Sequence, residues 1–429
     1  MSNGDALKRE LGLLEVTLSG VGSILGAGIY VLIGKAAGLA GNSVWMSFLL
    51  AAVAAALTAA SYMELSSMYP RSAAEYVYVE KAYGQRSAFL VGWLVIVGLV
   101  IASSTVALGF GGYFYALFGV PVIPGAIALI LGFGLILLLG IKRSAQVAIL
   151  MTLVEIVGLL VVIYIGVPHL GSVDYLDPPN ISGVFGAATL IFFAYLGFED
   201  IVKLSQETKE AEKTIPKALV LAILISSVLY VLVSLSVVSV LNYQALAASP
   251  APLADVASVV LGEDASMGLS MIALFSTANT VLLMLLGGSR MIYGMADTGA
   301  LPGVFASVHS QRRTPHIAIL AITISAMGFT FIGNIETVAN MANFTVFIIF
   351  FMVNLSLIRL RYTEPHTARP FRSPLNIGNI PVLALLGAMV TLFLFIQLDL
   401  EVVLYGSILL VAGLVLFHNI RGYGEGKGN

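Results

Sequence analysis

Two glycine-containing segments interrupt long apolar stretches of this chain and could expose backbone groups for binding. The first, Gly-Ser-Ile-Leu-Gly-Ala-Gly-Ile-Tyr, occupies 22–30, and the second, Phe-Ala-Tyr-Leu-Gly-Phe-Glu, occupies 193–199. Each glycine destabilises a continuous helix by roughly 1 kcal/mol relative to alanine, so both segments predict broken helices. A break inside a bilayer frees N–H and C=O groups, which are tolerated only where they face protein or a watery cavity. N–H groups at the start of a half-helix attract an anion, and freed carbonyls attract a cation.

Glu155 lies near the middle of an apolar stretch, in Leu-Val-Glu-Ile-Val-Gly at 153–158, with no Lys or Arg within one helical turn. Charge inside a membrane is expensive, so an ionisable residue there is functional by default. A carboxyl group buried without a cation favours its protonated form and could load and release protons. It could instead bind Na⁺ together with Ser276, Thr277 or Asn279, or hold a structural hydrogen bond between helices. Of these three roles we favour proton coupling.

The composition places these residues in a polytopic membrane protein. Mean hydropathy is +0.99, and 59% of the 429 residues are hydrophobic while only 10% are charged, against about 25% charged in soluble domains. About 20 apolar residues cross a hydrocarbon core of about 30 Å. We place twelve spans at 13–39, 43–67, 85–116, 121–140, 145–167, 184–205, 217–241, 266–297, 315–333, 336–361, 380–398 and 400–420. Little sequence remains for a soluble enzymatic domain.

The distribution of charge predicts the orientation of these spans. With twelve spans, every Lys and Arg except Lys35 falls on one side, while the opposite loops at 168–183 and 242–265 carry only acidic charges. The positive-inside rule then makes both termini cytoplasmic, and we expect a multi-pass protein of the plasma membrane without a cleavable signal peptide. The loop at 242–265 is expected to hold a small helix. The sequence has no cysteine, so no disulfide tethers an accessory subunit, whose existence stays open.

The spans divide into two sets of five. Residues 13–167 and 184–361 each begin with a glycine-broken stretch, and because five is odd the two sets would have opposite orientation. Residues 380–420 then add two further helices. We therefore predict an all-α integral membrane fold of twelve helices in one transmembrane domain, built as a 5+5 inverted repeat with discontinuous helices 1 and 6.

A set of motifs occurs in order across roughly the first 320 residues. They are the glycine-rich segment at 20–34, Tyr-Met-Glu-Leu at 62–65, Pro-Arg-Ser-Ala-Ala-Glu-Tyr at 70–76, Phe-Phe-Ala-Tyr-Leu-Gly-Phe-Glu at 192–199, Ile-Pro-Lys-Ala at 215–218, Arg-Met-Ile-Tyr-Gly-Met-Ala at 290–296 and Gly-Ala-Leu-Pro at 299–302. Together they resemble amino acid permeases of the amino acid–polyamine–organocation (APC) superfamily, closest in texture to its cationic amino acid transporter branch. The resemblance implies an amino acid transporter with the discontinuous-helix APC fold, and it is much less specific for a substrate.

A bound amino acid offers a carboxylate and an ammonium group, and the two breaks could hold both. The predicted carboxylate contacts are the side chain of Ser23 and the backbone N–H groups of Gly26, Ala27 and Gly28. The predicted ammonium contacts are the carbonyls of Phe193, Ala194, Leu196 and Gly22. The resemblance implies the same arrangement. The alternative is that these glycines only permit close packing of helices.

Gly98 indicates which substrate side chain the site would accept. The cationic branch carries an acidic residue after its Gly-Trp motif, whereas this chain has Gly98 following Gly92-Trp93. A cationic side chain would then lack its partner, so we expect a neutral substrate. The other residues that we expect to line the pocket are Ser103, Phe192, Phe198 and Met284.

Charged residues near the cytoplasmic ends of the spans could close an inner gate. We predict this gate from Glu64 and Arg290, with Glu199, Asp200 and Lys203 nearby. Solvation at the membrane interface, with the long side chains reaching water, is the alternative.

The sequence predicts a secondary active transporter of neutral amino acids, coupled to H⁺ or else Na⁺ and working by alternating access. It holds no P-loop and no constellation for acyl or phosphoryl transfer, and its five histidines fall in loops or at span ends. We therefore expect no enzyme, no metal site, no cofactor and no nucleic-acid partner. The alternatives are an uncoupled exchanger or facilitator of the same fold and a small-cation transporter using Glu155.

Overall fold

The computed structural model describes residues 7–249, 251–331, 335–396, 398 and 400–425. Secondary structure in these residues is almost entirely helical, with one small antiparallel hairpin of β1 (Asn376–Ile377) and β2 (Ile380–Pro381). The α-helices are α1 (Leu13–Ala40), α2 (Val44–Met68), α3 (Ala74–Tyr83), α4 (Gln85–Phe118), α5 (Val122–Leu138), α6 (Ile141–Gly166), α7 (Ile181–Phe192), α8 (Asp200–Lys203), α9 (Ala211–Val240), α10 (Tyr243–Ala248), α11 (Pro252–Leu261), α12 (Glu263–Asp297), α13 (His316–Phe329), α14 (Ile335–Thr363), α15 (Val382–Ile396) and α16 (Leu400–Glu425).

Many of these helices are long and apolar enough to cross a membrane. Nine segments of the described chain meet that standard of length and hydropathy. Three further predicted spans, at 121–140, 315–333 and 380–398, correspond to the shorter apolar helices α5, α13 and α15. The prediction of a helical, multi-pass membrane protein is therefore confirmed.

The first and the sixth predicted spans are both discontinuous. Helix α1 departs from helical backbone angles at Gly26, where φ is 11° and ψ is −158°. The sixth span ends as an α-helix at Phe192 and continues through a 3₁₀ turn at Phe193–Tyr195. It resumes as α8 after Gly197, whose φ of 112° lies in a region that favours glycine. Both breaks fall within the segments that the glycine pattern predicts.

The two breaks pack directly against each other. A Cβ atom on Gly28 would lie 2.8 Å from the Cα atom of Ala194, and one on Gly197 would lie 2.6 Å from the carbonyl oxygen of Ser23. Neither distance leaves room for a methyl group without a shift of the backbone. Glycine is therefore needed at Gly28 for close approach, and at Gly197 for both the turn and the contact.

Helix α1 occupies the interior of the helix bundle. It contacts α6, α7, α9 and α12, and its Val21, Leu25 and Ile29 are fully buried. Peripheral helices instead expose large apolar side chains, such as Leu150 and Ile408. An apolar exterior of this kind suits a hydrocarbon environment, since every backbone group of an intact helix is already hydrogen-bonded.

On the predicted cytoplasmic face, the segment before α1 is hydrogen-bonded to the segment after α8. The N–H groups of Glu10 and Leu11 each donate to the carbonyl of Glu207 at 3.0 Å, and the N–H of Lys209 donates to the carbonyl of Leu11 at 2.9 Å. The start of the first broken helix is thus attached to the end of the second. On the opposite face, α10 and α11 occupy the loop where a small helix is expected.

Candidate functional site

A cavity of about 100 Å³ lies between the two breaks and the helices α4, α12 and α14. A single buried water needs roughly 10–15 Å³, so the cavity has room for a small solute. Its wall is mostly apolar, and the hydroxyl groups of Thr280 and Thr345 lie among the lining residues. The apolar residues that line it away from the breaks are Leu94, Val95, Leu99, Ala102, Val106, Met284, Ala342, Val346, Ile349 and Phe350.

The structure brings most of the predicted binding residues to this cavity. Its lining includes Ser23, Gly26, Gly28, Gly98, Phe193, Ala194 and Leu196. The side chain of Ala27 lies outside the part of the chain that the structure describes. Gly22 does not line the cavity, because a Cβ atom there would point at Thr152 and Asn279, 2.0 Å and 2.6 Å from their nearest atoms.

The apolar residues expected to line the pocket are found there only in part. Met284 lines the cavity, whereas Phe192 and Phe198 pack against Phe350, with ring centroids 6.3 Å and 5.3 Å apart. Ser103 turns its hydroxyl to a carbonyl of its own helix at 3.0 Å. These three residues are therefore not among the described residues that line the cavity.

Tyr230, on α9, joins the two breaks and was not predicted from the sequence. Its hydroxyl oxygen lies 2.6 Å from the carbonyl oxygen of Ile24 and 3.0 Å from that of Ala194. A carbonyl has two lone pairs, so Ala194 keeps a second acceptor site for a ligand. The carbonyl of Phe193 likewise accepts the N–H of Leu196 at 3.2 Å. Nothing in the apolar span around Tyr230 distinguishes it from a packing tyrosine.

A charged cluster, formed by Glu75, Glu199, Asp200 and Lys203, lines one end of the cavity. Lys203 Nζ lies 2.7 Å from Asp200 Oδ1 and 3.2 Å from Glu75 Oε1. The sequence places Glu75 in a polar loop, but α3 folds back and buries it completely. Three acidic residues and one lysine thus meet beside the apolar chamber.

The charged cluster also binds groups of both breaks. Ser23 Oγ donates a hydrogen bond to Asp200 Oδ2 at 3.1 Å, and the N–H of Gly197 donates to Glu199 Oε2 at 2.8 Å. Ser23, expected to face a bound carboxylate, therefore already donates its proton to an acidic side chain. A ligand carboxylate would have to rely on backbone N–H groups of the first break.

Glu155 is fully buried on α6, beside the first broken helix. Asn279 Nδ2 donates to Glu155 Oε1 at 3.2 Å and to Thr152 Oγ1 at 3.0 Å. Glu155 takes part in none of the ion pairs that the described residues form. Glu155 Oε2 and Asn279 Oδ1 have no hydrogen-bond partner within that same part of the chain. The two residues expected to act together do meet, and they present oxygen atoms that could take a proton or a small cation.

Glu64 and Arg290, the two residues predicted for the inner gate, do not pair with each other in this structure. Glu64 is bound by Arg361 Nη2 at 2.6 Å and by Arg369 Nε at 3.0 Å. Arg290 Nε and Nη2 each lie 2.8 Å from a carboxylate oxygen of Glu207. Helix α2 packs Glu64 against α14, whereas α12 packs Arg290 against the turn after α8, so the two residues belong to separate buried clusters.

This arrangement suits the binding and movement of a solute. The described residues contain no group of three or more His, Cys, Asp or Glu side chains that could hold a metal ion. Discontinuous helices that surround a cavity within a bundle of apolar spans are the hallmark of a membrane transporter. The fold and the site therefore define a protein of that class.

Comparison with known proteins gives the family. The family model described as "Amino acid permease" matches residues 11–417. The branched-chain amino acid permease BcaP of Bacillus subtilis is 30% identical over 441 residues, covering 97% of this chain and 94% of the relative. The methylthioribose transporter of the same organism is 31% identical over 423 residues, covering 92% and 90%. The vacuolar cationic amino acid transporter 2 of Arabidopsis thaliana is 28% identical over 394 residues, covering 85% and 61%.

The chain therefore belongs to the amino acid permease family of the APC superfamily. It is a transporter and not an enzyme. The resemblance inferred from the motifs is confirmed.

Proposed function

We propose that this permease is a secondary active transporter that carries neutral amino acids across the plasma membrane together with a proton, by alternating access. The observation that carries the proposal is the apolar cavity with both helix breaks at its wall. The carboxylate of a substrate would bind the backbone N–H groups around Gly26 to Gly28, at the positive end of a half-helix. Its ammonium group would bind carbonyls at Phe193, Ala194 and Leu196.

A neutral, aliphatic side chain is the best fit to the rest of the cavity. Apolar residues of α4, α12 and α14 form its wall, and transfer of aliphatic surface from water to such a wall is favourable by about 25 cal/mol per Å². A Cβ atom on Gly98 would lie 2.8 Å from Thr345 Oγ1. The described lining residues of α4, α12 and α14 include no Asp or Glu, and the acidic lining residues all belong to the charged cluster, where Lys203 pairs with Asp200 and Glu75. The name of the branched-chain permease of Bacillus subtilis points the same way. The name of the methylthioribose relative makes that neutral solute the second candidate.

Proton coupling is assigned to Glu155 with Asn279. Their hydrogen bond lies beside Gly22 of the first broken helix, so a change of charge on Glu155 would act on the helix that binds the substrate. Protonation of Glu155 must favour one conformation of the transport cycle over the other, because a ligand that binds both conformations equally well does not change their populations. Two mechanisms compete with proton coupling: sodium binding by the same oxygen atoms, and amino acid exchange without any coupled ion. A third alternative is a transporter whose substrate is a small cation bound by Glu155 and which transports no amino acid.

For the architecture we propose twelve spans with both termini in the cytoplasm. The first repeat covers 13–167, the second, inverted repeat covers 184–361, and two extra helices cover 380–420. The arrangement of non-spanning helices supports this repeat, because α3 follows the second span and α10–α11 follow the seventh. Those helices occupy the same place in each set of five, on opposite predicted faces. The moving parts would be the broken helices at Gly26 and Gly197.

Uptake into proteoliposomes without sodium tests the proposal. Radiolabelled L-alanine, L-leucine, L-arginine and methylthioribose are compared with and without an inward proton gradient. Concentrative uptake of leucine or alanine only with the gradient is the expected result. Preferential arginine uptake would contradict the neutral substrate, and uptake that is equal with and without the gradient would indicate a facilitator. No uptake without sodium, followed by uptake when an inward sodium gradient is added, would assign Glu155 to sodium coupling. Preferential methylthioribose uptake would establish the second candidate.

Glu155→Gln is the matching variant, since it keeps the side-chain shape and the contact with Asn279 but cannot ionise. We expect it to lose gradient-driven accumulation while it still exchanges internal for external leucine. Glu263→Gln, on an exposed acidic residue at the start of α12, is the control and should accumulate leucine like the wild type. Normal accumulation by Glu155→Gln would remove Glu155 from the coupling mechanism.

A further inference from the structure

A polar recess separate from the central cavity opens on the predicted cytoplasmic face. Its volume is about 500 Å³, and its lining includes Arg9, Arg71 and Lys81, together with Tyr69 and Gln206. The three cations come from three elements, which are the segment before α1, the loop after α2, and α3. Their side chains are exposed, so an anion from the cytoplasm can reach all of them.

All the charged residues in the described lining of this recess are positive. Among the described residues that line it there is no Asp or Glu, and none of its three cations forms an ion pair within the described chain. By contrast, the buried Lys203, Arg290 and Arg361 and the half-buried Arg369 each pair with an acidic residue. A concave surface lined by one sign of charge focuses the electrostatic potential and concentrates the counter-ion.

Of the two uncharged polar side chains in the recess, Gln206 offers a hydrogen-bond donor to an anion, whereas the hydroxyl hydrogen of Tyr69 is already donated. Gln206 Oε1 accepts the N–H of Ser72 at 3.0 Å, which leaves the amide NH₂ group of Gln206 as a donor. The hydroxyl of Tyr69 donates to Glu364 Oε2 at 2.6 Å, and burial together with this bond raises the pKa of Tyr69, so the phenol stays neutral. The positive-inside rule explains cations on this face, but not the collection of three of them around one recess whose described lining residues include no Asp or Glu.

We propose that this recess binds a phosphate-bearing anion and that the bound anion holds the cytoplasmic side closed. Arg and Lys bind phosphate through charge-assisted hydrogen bonds, which are about twice as strong as neutral ones. Arg9 belongs to the segment that is bonded to Glu207, and Lys81 belongs to the helix that carries Glu75 to the cavity. An anion that bridges these cations would resist the separation of the elements around the second break. The effect on closure, but not the binding itself, rests on the proposed alternating-access function.

Binding is tested on the purified full-length protein in detergent. Inorganic pyrophosphate is titrated by isothermal calorimetry into the wild type, the double variant Arg71→Gln/Lys81→Gln, and the control Arg143→Gln, with ionic strength held constant. Arg143 is an exposed cation at the start of α6 that does not line the recess. We expect saturable binding that is at least about tenfold weaker in the double variant, which equals roughly 1.4 kcal/mol, and unchanged in the control. An equal loss in the control would overturn the site.

A second arm identifies the source of the phosphate. The same three proteins are placed in nanodiscs of phosphatidylcholine with or without phosphatidylglycerol, and retained lipid is measured by native mass spectrometry. Retention of phosphatidylglycerol that is lost only in the double variant assigns a lipid headgroup. Pyrophosphate binding without such retention assigns a free anion. Failure of both probes to bind the wild type would overturn the proposal.

The effect on closure is measured as leucine uptake with pyrophosphate on the cytoplasmic side. Uptake should slow in the wild type and not in the double variant. Binding without any effect on uptake would refute the closed-state part of the proposal. If the protein transports no candidate solute under any condition, the proposed function fails, while the calorimetric result still decides whether the recess binds an anion.

Discussion

Removal of one hydroxyl group tests whether Tyr230 holds the two broken helices together. The residue is fully buried, and its oxygen lies 2.6 Å and 3.0 Å from the carbonyl oxygens of Ile24 and Ala194. Tyr230→Phe keeps the ring and its contacts with Phe48 and Tyr195, whose centroids are 5.3 Å and 5.2 Å away. It leaves the two carbonyls without this donor.

The size of the effect follows from the hydrogen bonds that are lost. A buried polar group left without a partner costs about 1–3 kcal/mol, whereas interhelical hydrogen bonds inside membranes average about 0.6 kcal/mol. The carbonyl of Ile24 precedes the break at Gly26 and the carbonyl of Ala194 lies in the second break, so intact helical bonding does not replace the donor. We therefore expect a loss of about 1–2 kcal/mol, which is a factor of roughly 5–30 in a conformational equilibrium.

Initial-rate uptake of L-leucine into proteoliposomes is the assay, and fluorescence-detected size-exclusion chromatography of heated samples reports stability. We expect kcat/KM to fall by about 5–30-fold in Tyr230→Phe, with the protein still monodisperse. Tyr195→Phe is the matched control, because its hydroxyl donates at 3.2 Å to the carbonyl of Phe48 in the continuous helix α2. Wild-type kinetics in Tyr230→Phe, or an equal loss in Tyr195→Phe, would refute the reasoning.

Three further substitutions test the cavity, the second break and the buried ion pair of Glu207 with Arg290. Gly98→Ala places a methyl group 2.8 Å from Thr345 Oγ1 and so reduces the space for the substrate. The loss of room for one methylene group weakens binding by about 1–3 kcal/mol. We therefore expect KM to rise at least about tenfold for leucine and less for alanine. Gly197→Ala puts a side chain at a φ of 112°, so transport should be abolished and the melting temperature lowered; normal uptake would show that this break is not essential. Glu207→Gln leaves Arg290 buried without a counter-charge, which should lower the free energy of unfolding by about 3–5 kcal/mol. A melting temperature equal to that of the wild type would contradict the importance of this ion pair.

Features with local physical causes were predictable from the sequence. Glycine weakens a helix wherever it stands, so the cluster of glycines around Gly26 and the single Gly197 within an apolar span predicted both breaks without knowledge of their neighbours. A carboxyl group inside an apolar span is rare, and this alone singled out Glu155. The mostly apolar nature of the cavity also followed from the residues on the spans.

Contacts between distant parts of the chain were not predictable in this way. Glu64 and Arg290 each had several partners of opposite charge in the sequence, and only the packing of α2 on α14 and of α12 on the turn after α8 selects among them. Glu75 lies in a segment that is polar by composition, yet α3 returns it to the cavity. Tyr230 acts through carbonyls of two other helices, and a single sequence contains no sign of that geometry.

The pairing of the segment before α1 with the segment after α8 affects how the chain is made. Leu11 leaves the ribosome long before Glu207, so the first broken helix enters the membrane before it can form its hydrogen bonds with the segment after α8. Closure of such a long loop is entropically unfavourable until the intervening helices have packed, and contacts distant in sequence slow folding. The first span therefore stays in the bilayer without these hydrogen bonds until the sixth span has been inserted. A ribosome stalled before residue 207 would hold a chain whose first helix can still tilt and rotate.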